Sequence, residues 1–278
     1  MQTSHFLALR RSIALLSIFA FIILVQGPAQ LLGLRSSYRW GHTWHKWCRW
    51  AIGMKVQCHG QPAMDVPTLY VANHTSYLDI PAVGSILPAT FIAKAEIMDW
   101  PLFGILCKLQ RTVFIERDRR KIRAQREELF QRLSEGDSLI LFAEGTSNSG
   151  TFVRPFKSAL FSAAEWEADG MPLTIQPVTI GYTELDDMAM GRRLRPIFAW
   201  YGDMDMIGHF WQLLGAGQLG IDIIFHPPVK MAEFASRKEL AEHCERAVAV
   251  GLSSALQGRA ERALAVSPGE SVAEADLV

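Results

Sequence analysis

Thr68-Leu69-Tyr70-Val71-Ala72-Asn73-His74-Thr75-Ser76-Tyr77-Leu78-Asp79-Ile80 is the stretch on which the fold turns. The apolar run Thr68–Ala72 reads as a strand. The polar cluster from Asn73 closes it, and helical spacing begins near Ile80 and runs to Leu87. A strand that passes through a polar turn into a helix is the repeating unit of an α/β sheet.

Working outward, the same alternation recurs. Met54–His59 precedes the stretch, and Thr90–Lys94, Thr112–Glu116, Ser138–Phe142, Leu173–Thr179 and Gly220–Phe225 follow it as predicted strands. Helical patterns lie between them near Pro101–Lys108, Asp118–Ser134, Ser158–Trp166 and Gly202–Leu214, with a last one from Ser236 to about Gln257. The expectation is an α/β domain over residues 53–258, a single mixed, largely parallel sheet flanked by helices. Residues 259–278 are small, polar and net acidic, and are expected to form a flexible tail.

The chain has 278 residues with 28 basic and 28 acidic side chains and 49% hydrophobic residues, enough for one large α/β domain and too apolar for a disordered chain. The zero net charge conceals a split. The first 64 residues carry seven basic groups and no Asp or Glu, so the two parts stand at +7 and −7. An acid-free, basic start suits an anionic surface. Ile13–Leu34 is uncharged and largely apolar, with Gln26, Pro28 and Gln30 interrupting its second half. Against a bilayer requirement of about 20 apolar residues it is a borderline span. No small-x-small cleavage site follows Val25, which disfavours a signal peptide.

Beyond it, a helix would set Trp40, Trp44 and Trp47 on one stripe, with Arg39, His42, Lys46 and Arg49 largely elsewhere. Tryptophans beside cations suit headgroup depth; the alternative packs the stripe on the protein's own core. Residues 1–52 are therefore expected to be membrane-anchoring or interfacial helices, spanning or lying on the bilayer, with the domain on the cytoplasmic side of a bacterial inner membrane. Four cysteines without a CxxC pair argue against a disulfide scaffold or structural zinc, and no metal-ligand set is apparent.

In an open α/β sheet, chemistry gathers beyond the carboxyl ends of strands. Three such joins carry reactive groups. His74 and Asp79 flank one strand-to-helix turn, where the carboxylate can hold one imidazole nitrogen and leave the other to take a proton. No G-x-S-x-G supplies a serine nucleophile, so the deprotonated hydroxyl belongs to a substrate or to water. Arg117 ends another strand, where a guanidinium suits phosphate or carboxylate. The cations that follow, Arg119 to Arg126, read as a solvated helix face beside Glu127 and Glu128. At the third join Glu144-Gly145-Thr146 forms a small polar turn able to hold an anion, followed by Lys157. Gly215–Gly220 fits G-x-G-x-x-G, but it follows a helix and precedes a strand, so it is a loop and no nucleotide site. The aromatic run Ile197–Met204 is expected to pack in the core.

Together the joins resemble the membrane glycerolipid acyltransferases, the PlsC-like family of bacterial 1-acylglycerol-3-phosphate acyltransferases. The family's N-H-x4-D block is matched by Asn73, His74 and Asp79, its Phe-Ile-x-Arg by Phe114, Ile115 and Arg117, and its late strand proline by Pro177. Its Phe-Pro-Glu-Gly-Thr-Arg block reads Phe142-Ala143-Glu144-Gly145-Thr146-Ser147, without the proline and the arginine; a glycine usual before the Phe-Ile block is Arg111. The resemblance covers about Leu69 to Ile180 and includes the apolar, Trp-rich start.

It implies an O-acyltransferase that needs no cofactor, in which His74, oriented by Asp79, deprotonates a lysolipid hydroxyl that attacks an acyl thioester of acyl carrier protein or coenzyme A. Asn73, Arg117, Glu144, Gly145, Thr146 and Lys157 would bind substrate. Within the family the wording resembles alphaproteobacterial members, among them lyso-ornithine lipid acyltransferases. Loss of the arginine at Ser147 favours a non-phosphate acceptor, while Arg111, Arg154 and Lys157 could compensate, so lysophosphatidic acid and lyso-ornithine lipid both stay open. The expected partners are the lysolipid acceptor, the carrier-protein or coenzyme A thioester and membrane lipids, with no nucleic acid. A thioesterase or lipid hydrolase using the same pair, and a non-enzymatic membrane adaptor, are the rival classes.

Overall fold

A computed structural model describes residues 3–34, 40–116, 120, 122–168 and 171–264. Two helices, α1 (His5–Leu31) and α2 (Trp40–Ile52), lead into strands β1 (Met54–His59) and β2 (Thr68–Ala72). Then come α3 (Asp79–Gly84), β3 (Thr90–Lys94), α4 (Phe103–Leu109), β4 (Val113–Ile115), α5 (Ile122–Ser134) and β5 (Leu139–Phe142). A two-stranded ribbon, β6 (Glu167–Ala168) and β7 (Met171–Pro172), precedes the long β8 (Thr174–Leu185) and the short β9 (Met188–Ala189). After α6 (Arg195–Phe198) and α7 (Met206–Leu214) the chain closes with β10 (Leu219–Phe225), β11 (Val229–Lys230) and α8 (Arg237–Leu256).

The main path of the sheet is β1-β10-β8-β2-β5-β3-β4. Every neighbouring pair on it is parallel except β10 with β8, so the sheet is mixed and largely parallel, as expected. β2 lies at its centre with all five residues buried, the pattern of a strand covered on both faces. One face meets α1–α4, α6 and α7 through Tyr70, Leu78, Ile140, Ile180 and Tyr182. The other meets α5 and α8 through Leu69, Val71, Leu141, Leu133 and Val248. β2 and β5 run side by side with Ala72 opposite Phe142, so the chains leaving both strands emerge at one point.

α1 begins at His5, earlier than the uncharged run suggested, and is long and apolar enough to cross a bilayer by length and composition. Ala8, Arg11, Leu15, Ile22, Gln26 and Ala29 form its buried stripe. Phe6, Leu9, Ile13, Leu16, Leu24 and Leu31 lie exposed on the rest of its surface. The polar members of the stripe close the ends of other helices. Arg11 donates to the carbonyls of Leu214, Ala216 and Gly217 at 2.8–3.2 Å, at the C-terminal end of α7. Gln26 and Gln30 both donate to Leu109 O, the last residue of α4, at 2.8 and 2.6 Å. Carbonyls at a helix C-terminus lack internal partners and carry partial negative charge, so such donors dock α1 along its length.

The tryptophan stripe of α2 divides. Trp44 is buried edge-on against Phe19 of α1, and Trp47 packs edge-on against Phe21 while staying partly exposed. Trp50, outside the expected stripe, is the outward ring at 79% exposure. Of the two readings of the stripe, Trp44 follows the one that packs on the protein itself, because α1 takes that face, while Trp47 stays partly exposed.

Further differences have local causes. β8 runs on to Leu185 because its second half pairs with β10 and β9 after the apolar run stops. Ser158–Glu165 winds as a 3₁₀ helix with a kink at Phe161. Ala260–Leu264, expected to fray, forms a 3₁₀ turn with Ala260 and Ala263 buried near Ile224 and Ala255. Residues 265–278 lie outside the described residues.

Candidate active site

The site grows from the carboxyl ends of β2 and β5. After Ala72 the chain turns sharply, and Asp79, the first residue of α3, reaches back over that turn. Its Oδ2 accepts from His74 Nδ1 at 2.7 Å and from the backbone N–H groups of Thr75 and Ser76 at 2.7 and 3.0 Å. Its Oδ1 accepts from the Tyr182 hydroxyl of β8 at 2.7 Å. Asp79 is fully buried, and four donors compensate its lost hydration. Because a carboxylate only accepts, the His74 proton sits on Nδ1 and Nε2 keeps its lone pair. The imidazole, 21% exposed, stacks on Phe142 with 4.1 Å between ring centroids. It is held on two sides and keeps one open edge.

Glu144 anchors the neighbouring turn. Its Oε1 accepts the His74 backbone N–H at 2.9 Å, and its Oε2 accepts from the Asn148 amide and from the Arg154 N–H. Burial pushes the Glu144 carboxyl above its usual range, partly offset by these donors. Asn148 N–H in turn donates to His74 O, so the two loops are laced in both directions. Gly145 has φ +66°, and a Cβ there would stand 2.9 Å from Lys157 Nζ, so the turn is left-handed and presses against an exposed lysine stem.

Asn73, expected to touch substrate, has another place. Its fully buried amide donates to Ile180 O and accepts from Ile180 N–H at 2.9 and 2.8 Å, clamping β2 to β8. Glu144 is likewise 1% exposed, and its oxygens are taken by two backbone N–H groups and the Asn148 amide, so it shapes the site from behind. Thr146 is half-buried on the same turn. Arg117 lies outside the described residues. Arg111, a candidate to compensate for the missing arginine, precedes β4 and pairs with Glu135 and Asp137 at 2.6 and 3.1 Å. Arg154 and Lys157 flank the Glu144 turn and are exposed. The helical cations behave as a surface face, Arg123 with Glu127 and Arg126 with Glu165, each at 3.0 Å.

Three contributors escape the sequence reading, Tyr182, Asn148 and Trp200, and Phe142, read only as part of a motif, proves to stack on His74. The aromatic run does bury Phe198 and Ala199, but Trp200 is half-buried beside the His74 turn. Its N–H donates to Thr75 O, and Ser147 Oγ donates to its carbonyl. Tyr77 sits 5.9 Å from its ring.

Among the described residues no cluster of three or more metal-ligating side chains occurs. A histidine held by a buried carboxylate at Nδ1, with Nε2 left at the open edge, has the arrangement a general base requires.

The family model described as Acyltransferase matches residues 55–181, which hold the dyad, the Glu144 turn and both central strands. The chain is 40% identical to the lyso-ornithine lipid O-acyltransferase of Brucella abortus (strain 2308), across 84% of this chain and 90% of that one. It is 31% identical to the 1-acyl-sn-glycerol-3-phosphate acyltransferase of Neisseria gonorrhoeae, across 71% and 73%. In fold it is similar to the crystal structure of the 1-acyl-sn-glycerophosphate acyltransferase PlsC from Thermotoga maritima, with a TM-score of 0.60 and 22% identity over 90% of this chain and 94% of that one. The chain belongs to the acyltransferase family and is an enzyme of that class.

Proposed function

We propose that the protein transfers a fatty acyl chain from a thioester to the free hydroxyl of a lysolipid at a membrane surface, with His74 as general base. The observation that carries this reading is the His74–Asp79 pair: one imidazole nitrogen fixed on a buried carboxylate, the other free. Nε2 takes the proton of the acceptor hydroxyl as its oxygen attacks the thioester carbonyl. The C–S bond breaks, and the thiolate leaves with the proton returned from the imidazolium. Ester and thiol are the products, and no acyl-enzyme forms. Arg117, Lys157, Gly145 and Thr146 would meet the acceptor or the acyl donor, which is acyl carrier protein or coenzyme A.

Lyso-ornithine lipid is the acceptor we favour. Ser147 stands where the family's block has an arginine, so one phosphate fork is missing, and the Brucella relative is named for that substrate. Lysophosphatidic acid is the second reading, supported by the exposed cations Arg154 and Lys157 beside the Glu144 turn.

The membrane side follows from α1. Its outward residues are apolar and exposed, as are Ile207 and Trp211 of α7, where Trp211 meets His5. Exposed apolar side chains in this number along one helix suit a lipid surface. A helix docked along its length favours lying in the interface over crossing it. Two bonds to Leu109 and three from Arg11 would otherwise be lost. The reading sets the catalytic domain on the cytoplasmic face of a bacterial inner membrane, where the basic start meets anionic lipid.

The test offers labelled acyl-carrier-protein donor to detergent-solubilised enzyme with lyso-ornithine lipid and lysophosphatidic acid in parallel. Label is expected in ornithine lipid, and His74→Ala should lower the rate about 10²- to 10⁴-fold. Near-wild-type transfer by His74→Ala would overturn the base assignment. Label in phosphatidic acid alone would move the enzyme to the second acceptor.

A further inference from the structure

We infer that Tyr182 is a positioning residue of this site, holding Asp79 so that His74 stays a free base with its open nitrogen aimed outward. The inference rests on the acyl-transfer reading above and assigns a part of the site absent from its four sequence blocks.

Asp79 has two oxygens with unequal company. Oδ2 serves the imidazole and two backbone N–H groups of its own turn; Oδ1 is served by Tyr182 alone among the described residues. All three Oδ2 donors lie on the loop that Asp79 itself closes. Tyr182 is the one donor from outside, 103 residues later and on a different strand. Without it the carboxylate could turn about its Cβ–Cγ bond and trade oxygens; with it the plane is fixed from both ends.

The strand that carries Tyr182 is itself indexed to the catalytic turn. Asn73 takes both backbone groups of Ile180 on its side-chain amide, immediately before His74. β8 pairs with β2 as far as Ala72 opposite Val178, and Asn73 extends that register past the last strand residue. Tyr182 then stands two residues beyond the clamp, 3% exposed, within the core with Leu78 and Ile180. A serine or threonine at this point would be shorter by the length of the ring.

The hydroxyl also compensates the buried carboxylate, whose Oδ1 would otherwise face the core unpaired. Burial first, and then Asp79, keep Tyr182 protonated far above its usual range, so it remains a donor throughout. The other titratable groups around the dyad are Glu144 on the turn after β5 and Tyr77 on the catalytic loop; Glu144 bonds the His74 backbone and Tyr77 bonds His209. Loss of the hydroxyl leaves Oδ1 without a donor in the core, and the imidazole loses the fixed bearing its partner gave it.

The experiment uses the full chain in detergent, with acyl-carrier-protein donor and lysolipid acceptor, and compares Tyr182→Phe with wild type. The expected result is kcat lower by about 10- to 100-fold with acceptor KM within about twofold. In an Asp79→Asn background, Tyr182→Phe should cost less than about twofold further, because the bond it makes is already altered. An unchanged kcat would overturn the inference, and so would an equal loss in both backgrounds, the mark of a packing role. Should Tyr182→Phe not fold, 4-aminophenylalanine at 182 keeps the ring and a donor, and 4-fluorophenylalanine keeps the ring without one. The first should hold kcat within a few-fold and the second lose it; equal kcat in the two would overturn the inference. His74→Ala runs alongside; full activity there would sink the base reading itself, separately from Tyr182.

Discussion

Ser147 shows how one side chain can change employment. Where the family's block ends in a guanidinium, this chain has a hydroxyl that bonds the Trp200 carbonyl, while Trp200 N–H bonds Thr75 of the catalytic turn. The position serves the loop in place of a phosphate. Ser147→Ala should therefore cost about 1 kcal/mol of stability and a few-fold in kcat, leaving the pH profile unmoved. Thermal melts and a pH–rate series check this, and a shifted limb would contradict it. The same scale shows what was legible. His74 and Asp79 were readable because five residues across a turn dictate their own meeting. Tyr182 and Trp200 were not, since their partners come from strand order and from a loop that no local pattern encodes. Asn73 is legible as part of the family's block, but its bond to Ile180 is not, because that partner is set by the neighbouring strand.

At the scale of the element, α1 is the instructive case. Its composition announced a membrane helix, and its outer residues fit that reading. The charge at Arg11 looked like a flank because its partners lie more than 200 residues away, at the end of α7. A buried guanidinium on three carbonyls is costly to remove from one side only. Arg11→Ala should lower stability by about 2–4 kcal/mol, read as a lower melting temperature in detergent, whereas exposed Arg10→Ala should change it by less than about 0.5 kcal/mol. Equal effects would mean that the docking carries no weight. β8 teaches the opposite lesson. Its first half was visible as an apolar run, but the second half is a strand because β10 and β9 pair with it, which outweighs local preference.

For the whole molecule, the strand positions followed from alternation and apolar runs, whereas the sheet order did not. β10 enters antiparallel to β8 and parallel to β1, a choice made by how both faces are covered. A buried histidine marks that junction. His226, opening the segment after β10, bonds Thr179 of β8 at 2.8 Å, and burial pulls its pKa down to about 4. A histidine held neutral in the fold is titrated earlier in the unfolded chain. Folding stability thus declines as pH falls from about 6.5 towards about 4, by about 2 kcal/mol at pH 5 for this group. His226→Gln should flatten that slope in urea titrations between pH 7 and pH 4.5, even if it lowers stability at neutral pH; an unchanged slope would assign acid sensitivity elsewhere.

The two glutamines of α1 that share the Leu109 carbonyl, together with Arg11 at the far end, carry a practical consequence. Helix and body are riveted at both ends, so a cut between them would not set either free. Clipping the leader to obtain a water-soluble catalyst would tear open the ends of α4 and α7 and expose the wall behind the catalytic turn. Solubility would have to be engineered on the outward side chains of α1, one by one, with the rivets left in place.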